Sequence, residues 1–280
     1  MDGIVLINKE KGITSRDVVN IVSKNLKIKR VGHAGTLDPL ATGLMVIGIG
    51  KATKVLELLT LDTKEYIATV KIGIQTDTLD ITGNIVNQNT NYHLDIEDIK
   101  KVLNKYVGSY EQTVPKYSAV KINGKRLYEY ARNNIEVELP KRIVNIYEIE
   151  LLSCDLKNKE FKFRTLVSKG CYIRSLIDDI GKCLNIPMTM KELIRTKSGK
   201  FNLCNANNIK DKYNIIKIQD ALDFKIVKVT DDILLKKIKN GNIITLNEED
   251  EYISLIDTNN QILAIYKKFN NFEFKAFKVF

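Results

Sequence analysis

From Lys64 the chain alternates: Tyr66, Ala68, Val70 and Ile72 fall on one side, Glu65, Thr69 and Lys71 on the other. The pattern returns at 160–168, where Phe161, Phe163, Thr165 and Val167 share a face. A period of two marks strands with one covered face and one wet face. Antiparallel sheets have that arrangement, because βαβ crossovers would bury both faces. Shorter apolar runs at 3–7 and 44–49, and a strand over 142–152, add to the sheet.

Helical spacing occurs in isolated blocks. After a cap at Thr14 or Ser15, residues Val18, Ile21, Val22 and Leu26 form one stripe. Ile96, Ile99, Val102, Leu103 and Tyr106 form another over 95–106, and Leu176, Ile177, Ile180 and Leu184 a third. Shorter helices are expected at about 51–60, with Val55, Leu56 and Leu59 inward, and over Leu127–Arg132. Strands mostly follow strands, without regular βαβ alternation. The fold class is therefore α+β, a mixed and largely antiparallel sheet with flanking helices. Beyond residue 224, short strands with turn signals between them predict a small C-terminal β-barrel. The expected division is 1–223 and 224–280.

No stretch reaches the roughly 18–20 apolar residues of a membrane span. The N-terminal apolar run is short and carries an acid at position 2, which argues against a signal peptide and for a cytoplasmic protein. Cys154, Cys171, Cys183 and Cys204 include no CxxC pair, and His33 and His93 are the only histidines. That inventory argues against zinc or any other metal and for reduced, non-catalytic thiols.

The formal net charge is +10, which points to a polyanionic partner. Lys24, Lys27, Lys29 and Arg30 lead into a glycine-rich loop; Lys116, Lys121, Lys125 and Arg126 form a second group with Tyr117 and Tyr128 among them. Cations interleaved with aromatics favour RNA, whose unpaired bases stack on rings. The loop itself, residues 30–43, holds Gly32, Gly35, Gly43 and Pro39 around His33 and Asp38. A bent loop that presents an acid and an imidazole and then feeds a buried strand is a plausible catalytic element, although a plain surface turn has the same composition.

Four ordered blocks carry a resemblance that decides between these readings. They are Gly32–Gly43, Lys64-Glu65-Tyr66 with Gly73–Asp80, Tyr117–Lys121 with Asn123-Gly124, Tyr128, Ala131 and Arg132, and Ser168–Leu176 with Asp178–Gly181. Together they resemble the bacterial tRNA pseudouridine synthase B (TruB) family over most of residues 3–200. The C-terminal piece is similar to the family's small PUA-like RNA-binding domain. The sequence departs from the family at Glu10 and at Val114, where prolines are usual, and at Cys171, where a small or hydroxyl residue is common.

The resemblance implies a cofactor-free isomerisation of uridine 55 in the tRNA T-loop, by base flipping and an aspartate-dependent cleavage and re-attachment of the base. Asp38 is then the nucleophile or base, with attack at C1′, addition to the uracil and proton abstraction from C2′ all open. Arg174 would hold Asp38 ionised, Tyr66 would stack on the flipped uracil, and Tyr172 and Leu193 would line the pocket. His33 would enter the RNA and fill the gap left by the base. Lys9, Lys121, Arg126 and Arg132 are candidates for phosphate contacts. A segment at about 114–135 is similar to the family's RNA-clasping insertion. The expected partner is the tRNA T-arm, with no membrane, no required protein partner and a monomeric state. Two other readings use the same basic surface: an RNA-folding factor and a guide-RNA-dependent synthase. An intact Asp38, Tyr66 and Arg174 argue against the first, and the insertion against the second.

Overall fold

In the computed structural model, which describes residues 1–60 and 63–280, the alternating segments join one large sheet. The elements in order are β1 (Gly3–Lys9), α1 (Ser15–Leu26), β2 (Val31–His33), β3 (Thr42–Ile49), a 3-10 turn (Gly50–Val55), α2 (Leu56–Thr60), β4 (Lys64–Ile72), β5 (Ile74–Thr76), β6 (Ile85–Gln88) and α3 (Ile96–Lys105). There follow β7 (Gly108–Thr113), β8 (Lys121–Ile122), β9 (Lys125–Arg126), α4 (Leu127–Arg132), β10 (Lys141–Asp155), β11 (Glu160–Val167), α5 (Ile173–Leu184) and β12 (Met188–Ser198). The sheet runs β1-β3-β12-β4-β11-β10-β7, with β2 also on β3, strand 201–202 on β12, and strands 207–208 and 215–216 on β1. Neighbours from β1 to β7 are antiparallel except at one seam, where β3 and β12 run parallel, with Thr42 opposite Ile194 and Gly43 opposite Arg195; at the edge, strand 207–208 also runs parallel to β1.

One face of the sheet is covered by helices. Ile7, Met45, Ile47, Ala68, Val70, Phe161 and Phe163 pack with Val18 and Val22 of α1, Ile99 and Val102 of α3, and Leu176, Ile177 and Ile180 of α5. Helix α1 starts at Thr14 in a capping box with Asp17, and α3 at Asp95 with Asp98, each satisfying two otherwise orphaned backbone donors. Ile96, expected in the α3 stripe, is exposed instead, because position one of that helix faces away from the sheet. The expected helix over 51–60 is split between the 3-10 turn and α2, with Leu56 only partly buried. Strand β4 stops at Ile72, because Gly73 adopts φ +90° and bends the chain into β5. Strand β12, central to the sheet, has no counterpart in the expectations.

Toward the C-terminus, strands 225–228, 252–256, 262–268, 273–279 and 244–245 form a separate five-stranded sheet in that order. Helix 232–239 packs on it, and Ile238, Ile253, Leu255, Tyr266 and Phe274 make its core. Ile265 reaches the main body, sharing a cluster with Ile4, Leu6, Leu44 and Val46. Lys278 pairs with Glu57 at 2.7 Å, and Lys54 Nζ donates to the Val279 carbonyl at 2.5 Å.

The parallel seam depends on a glycine. Gly43 sits at φ +102°, and a Cβ there would meet the Arg195 carbonyl oxygen at 2.4 Å and its nitrogen at 2.8 Å. Gly43→Ala is expected to cost roughly 3 kcal/mol through backbone strain and overpacking. Thermal unfolding should show a fall in Tm of roughly 6–12 °C; an unchanged Tm would contradict this account of the seam.

Candidate active site

The loop between β2 and β3 is held from beneath. Ser15, the first residue of α1, accepts from Leu37 N at 2.8 Å through its Oγ and donates to the Leu37 carbonyl at 3.0 Å. The Asp38 carbonyl accepts from Ala41 N at 3.0 Å, closing a turn with Pro39 in its second position. Gly12 N donates to the Pro39 carbonyl at 2.8 Å.

Lys9, one of the candidates for a phosphate contact, is fully buried. Its ammonium donates to the carbonyls of Glu10 (2.9 Å), Ile13 (2.8 Å) and Pro39 (3.3 Å). The turn brings these carbonyls together, and three N–H donors on one atom fit them. Burial pulls its pKa down to about 8, against an upward pull from Asp38. Lys9 is therefore a tie within the loop.

Helix α5 brings Arg174 over Asp38. Arg174 Nε lies 3.0 Å from Asp38 Oδ2, and Nη2 donates to Oδ1 at 3.2 Å, a two-pronged fork on one carboxylate. The remaining donors reach the carbonyls of Thr78 (Nη1, 3.0 Å) and Tyr117 (Nη2, 2.9 Å). Arg174 is buried, while the Asp38 side chain keeps 35% of its surface open. Asp80, whose role the sequence reading missed, stands 4.0 Å from Nη1 and accepts from Thr82 N at 3.0 Å. Burial raises the Asp38 pKa, Arg174 draws it down and Asp80 raises it, with a net upward displacement. In the sequence Asp80 appears only as the last residue of the Gly73–Asp80 block, with no role attached to it.

Tyr66 lies in β4 on the covered face, directly across from Arg195 of β12. Burial raises its phenol pKa, against the pull of the Arg195 guanidinium. Leu193, also of β12, is buried opposite Ala68, and Thr42 Oγ1 donates to its carbonyl at 3.5 Å. Tyr172 is the residue before α5. The Gln112 side-chain oxygen accepts from its N–H at 2.8 Å, and the Gln112 amide donates to its carbonyl at 3.1 Å. The Arg142 guanidinium covers its ring at 5.4 Å. Cys171 is inert, its thiol pushed up to about 12 by burial.

His33 ends β2, half-exposed, with Nδ1 buried and, among the described residues, without a hydrogen-bond partner. Burial and the charges of Arg195 and Arg16 lower its pKa, favouring the neutral ring. Lys121, Arg126 and Arg132 are exposed on the 114–135 segment, whose short β8–β9 hairpin leads into α4. Arg126 and Arg132 both lie against the Tyr128 ring, at 5.8 and 5.4 Å. Among the described residues no His, Cys, Asp and Glu cluster could hold a metal ion, and no helix is long and apolar enough to cross a membrane.

Residues 23–173, more than half of the chain, match the family model described as TruB family pseudouridylate synthase, N-terminal domain. The chain belongs to the TruB family. A tRNA pseudouridine synthase B of Bacillus cytotoxicus is 42% identical, the match covering 95% of this chain and 92% of that protein. The Mycoplasma capricolum protein of the same name is 41% identical, covering 98% and 95%. The Bacillus subtilis protein is 39% identical, covering 95% and 93%. In fold, the chain is similar to one from an H/ACA RNP bound to a substrate RNA containing 2′-deoxyuridine, with a TM-score of 0.71, 22% identity, and 99% of this chain and 84% of that one covered. A chain of a Cbf5-Nop10-Gar1 complex has a TM-score of 0.72 at 23% identity, with the same coverage.

Within the TruB family pattern, the departure at Val114 has a structural account. Val114 N donates to the Pro140 carbonyl at 3.0 Å, joining the two ends of the insertion. A proline there has no N–H to offer. Glu10 is exposed, and its backbone carbonyl takes the Lys9 ammonium, so the loss of proline leaves that tie intact.

Proposed function

We propose that this TruB-family chain isomerises uridine 55 in the tRNA T-loop to pseudouridine, without a cofactor, as a monomer in the cytoplasm. The observation that carries the reading is the Asp38 carboxylate held by both prongs of Arg174 at a half-open site, in a chain of this family. The base must leave its stack to reach that carboxylate, at a cost of a few kcal/mol. The N1–C1′ bond then breaks, the uracil turns over, and C5 bonds to C1′ while losing its proton as N1 gains one.

Asp38 acts as the nucleophile or base, since an ionised carboxylate suits an electrophilic sugar or pyrimidine centre. Arg174 orients it. Tyr66 stacks on the flipped uracil, with Tyr172 and Leu193 at the walls. His33, neutral and at the rim, fills the space the base vacates. Residues 1–223 serve as the catalytic domain and 224–280 as a PUA-like RNA-binding domain, a division favoured by the separate core of the C-terminal sheet.

The test is incubation of the purified protein with an unmodified tRNA transcript, followed by carbodiimide treatment and primer extension. A stop assigned to pseudouridine 55 is expected, and its absence would refute the reading. Phosphate contacts from Lys121, Arg126 and Arg132 predict a salt dependence. Each contact contributes about −0.7 to −0.9 to the slope of log K against log[salt]. Replacing all three with Ala should flatten that slope by roughly 2–3. Filter binding at several salt concentrations measures it, and an unchanged slope would remove these residues from the interface.

A further inference from the structure

Arg195 is a costly residue for a fold to keep. It is 1% exposed and among the largest fully buried side chains in the protein. Its Nε donates to the Leu44 carbonyl at 2.7 Å and its Nη2 to the Gly35 carbonyl at 3.2 Å. These are neutral acceptors, whereas buried guanidinium groups are ordinarily balanced by a carboxylate. Lys9 and Arg174 already bring positive charge to this region, and Arg174 is the one that pairs with Asp38. A third buried cation is therefore not explained by charge balance. A Met of similar length would fill the volume without the desolvation cost.

The register of the sheet indicates what the charge faces. Arg195 and Tyr66 are direct cross-strand partners on the antiparallel β12–β4 ladder, and side chains of such partners leave the sheet on the same face. Both are buried there. Arg195 is also the residue that Gly43 approaches across the parallel seam. One side chain thus bonds the glycine loop at Gly35 and the start of β3 at Leu44, and leaves the sheet beside Tyr66 of β4.

We propose that Arg195 is a positioning residue for the reaction: its guanidinium donates to the Tyr66 phenol oxygen and so fixes the ring and directs the phenol's own O–H into the base pocket. A phenol oxygen that accepts from arginine has its proton left to give elsewhere. The charge behind it favours hydrogen bonding by the phenol oxygen, as seen in the opposing pulls on the Tyr66 hydroxyl. The Gly35 contact ties the same guanidinium to the loop that carries Asp38, so the stacking ring and the carboxylate share one reference point. This role rests on the proposed isomerisation and adds a residue to it.

A double-mutant cycle tests the role, using Arg195→Lys, Tyr66→Phe and the pair, with single-turnover pseudouridine formation at saturating tRNA. Arg195→Lys is expected to lower the rate roughly 30- to 100-fold, with tRNA Kd within about threefold. In the Tyr66→Phe background the same substitution should cost less than about threefold, because the hydroxyl through which it acts is gone. Equal fold-losses in both backgrounds would overturn the proposal, as would a loss confined to Kd. Should Arg195→Lys fail to fold by circular dichroism, Arg195→Gln takes its place in the same cycle. Absence of product from the unaltered enzyme would instead remove the reading of the reaction itself.

Discussion

Asp38→Asn is expected to abolish pseudouridine formation, by at least about 10³-fold in rate, while leaving tRNA affinity within about tenfold. Asparagine keeps the shape of the side chain and an acceptor for one prong of Arg174, but it can neither attack nor take a proton at neutral pH. Single-turnover assays and filter binding separate the two quantities; appreciable turnover by a sequence-verified variant would end the assignment. A stability measurement adds a second expectation. The folded state raises the Asp38 pKa, so folding binds its proton more tightly than the unfolded chain does. Stability from this group is present below the ordinary carboxylate value and is lost as pH rises through the raised one. At neutral pH the ionised carboxylate therefore contributes less to stability than the protonated one does at low pH. The same displacement sets the acid limb of the activity profile above the ordinary carboxylate pKa, with activity falling as pH drops through it.

Arg174→Lys is expected to reduce the rate by about 10²- to 10³-fold, although the charge is conserved. The guanidinium meets both Asp38 oxygens and the carbonyls of Thr78 and Tyr117 at once. A single ammonium cannot span that set from one position. Two acceptors would be left short of partners in a buried place, and Asp38 would lose its orientation. The acid limb should also move further up, because the charge that draws the Asp38 pKa down is less well placed. Rates across pH 5–8 for both enzymes measure this, and a lysine variant within threefold of the unaltered rate would contradict the positioning role of the fork.

Where side chains alternate without interruption, the architecture could be read in advance: β4 and β11 show it through Tyr66 to Ile72 and Phe161 to Val167. Strand β12 escaped because its pairing with β4 shifts register twice, between Met190 and Glu192 and between Arg195 and Lys197. Each bulge moves the apolar set to the other face and erases the period of two. Arg195 was hidden with it, and nothing local distinguishes a buried arginine from a surface one. The Asp38–Arg174 pair was visible through the resemblance, whereas Asp80 needed the β5–β6 turn folded back toward α5. The burial of Lys9 was hidden for a related reason. Its environment consists of carbonyls from a turn, and carbonyls leave no mark on a residue pattern.

The parallel seam also bears on timing during synthesis. Asp38 and Tyr66 are made early, Arg174 late, and the strand that joins β3 to β4 is completed only at Ser198. The basic insertion, ending near Arg132, leaves the ribosome before that strand exists. A nascent chain therefore displays this basic segment while its two halves of the sheet are still unjoined. Until β12 joins β3 to β4, the strand that follows the Asp38 loop and the strand that carries Tyr66 have no link across the sheet.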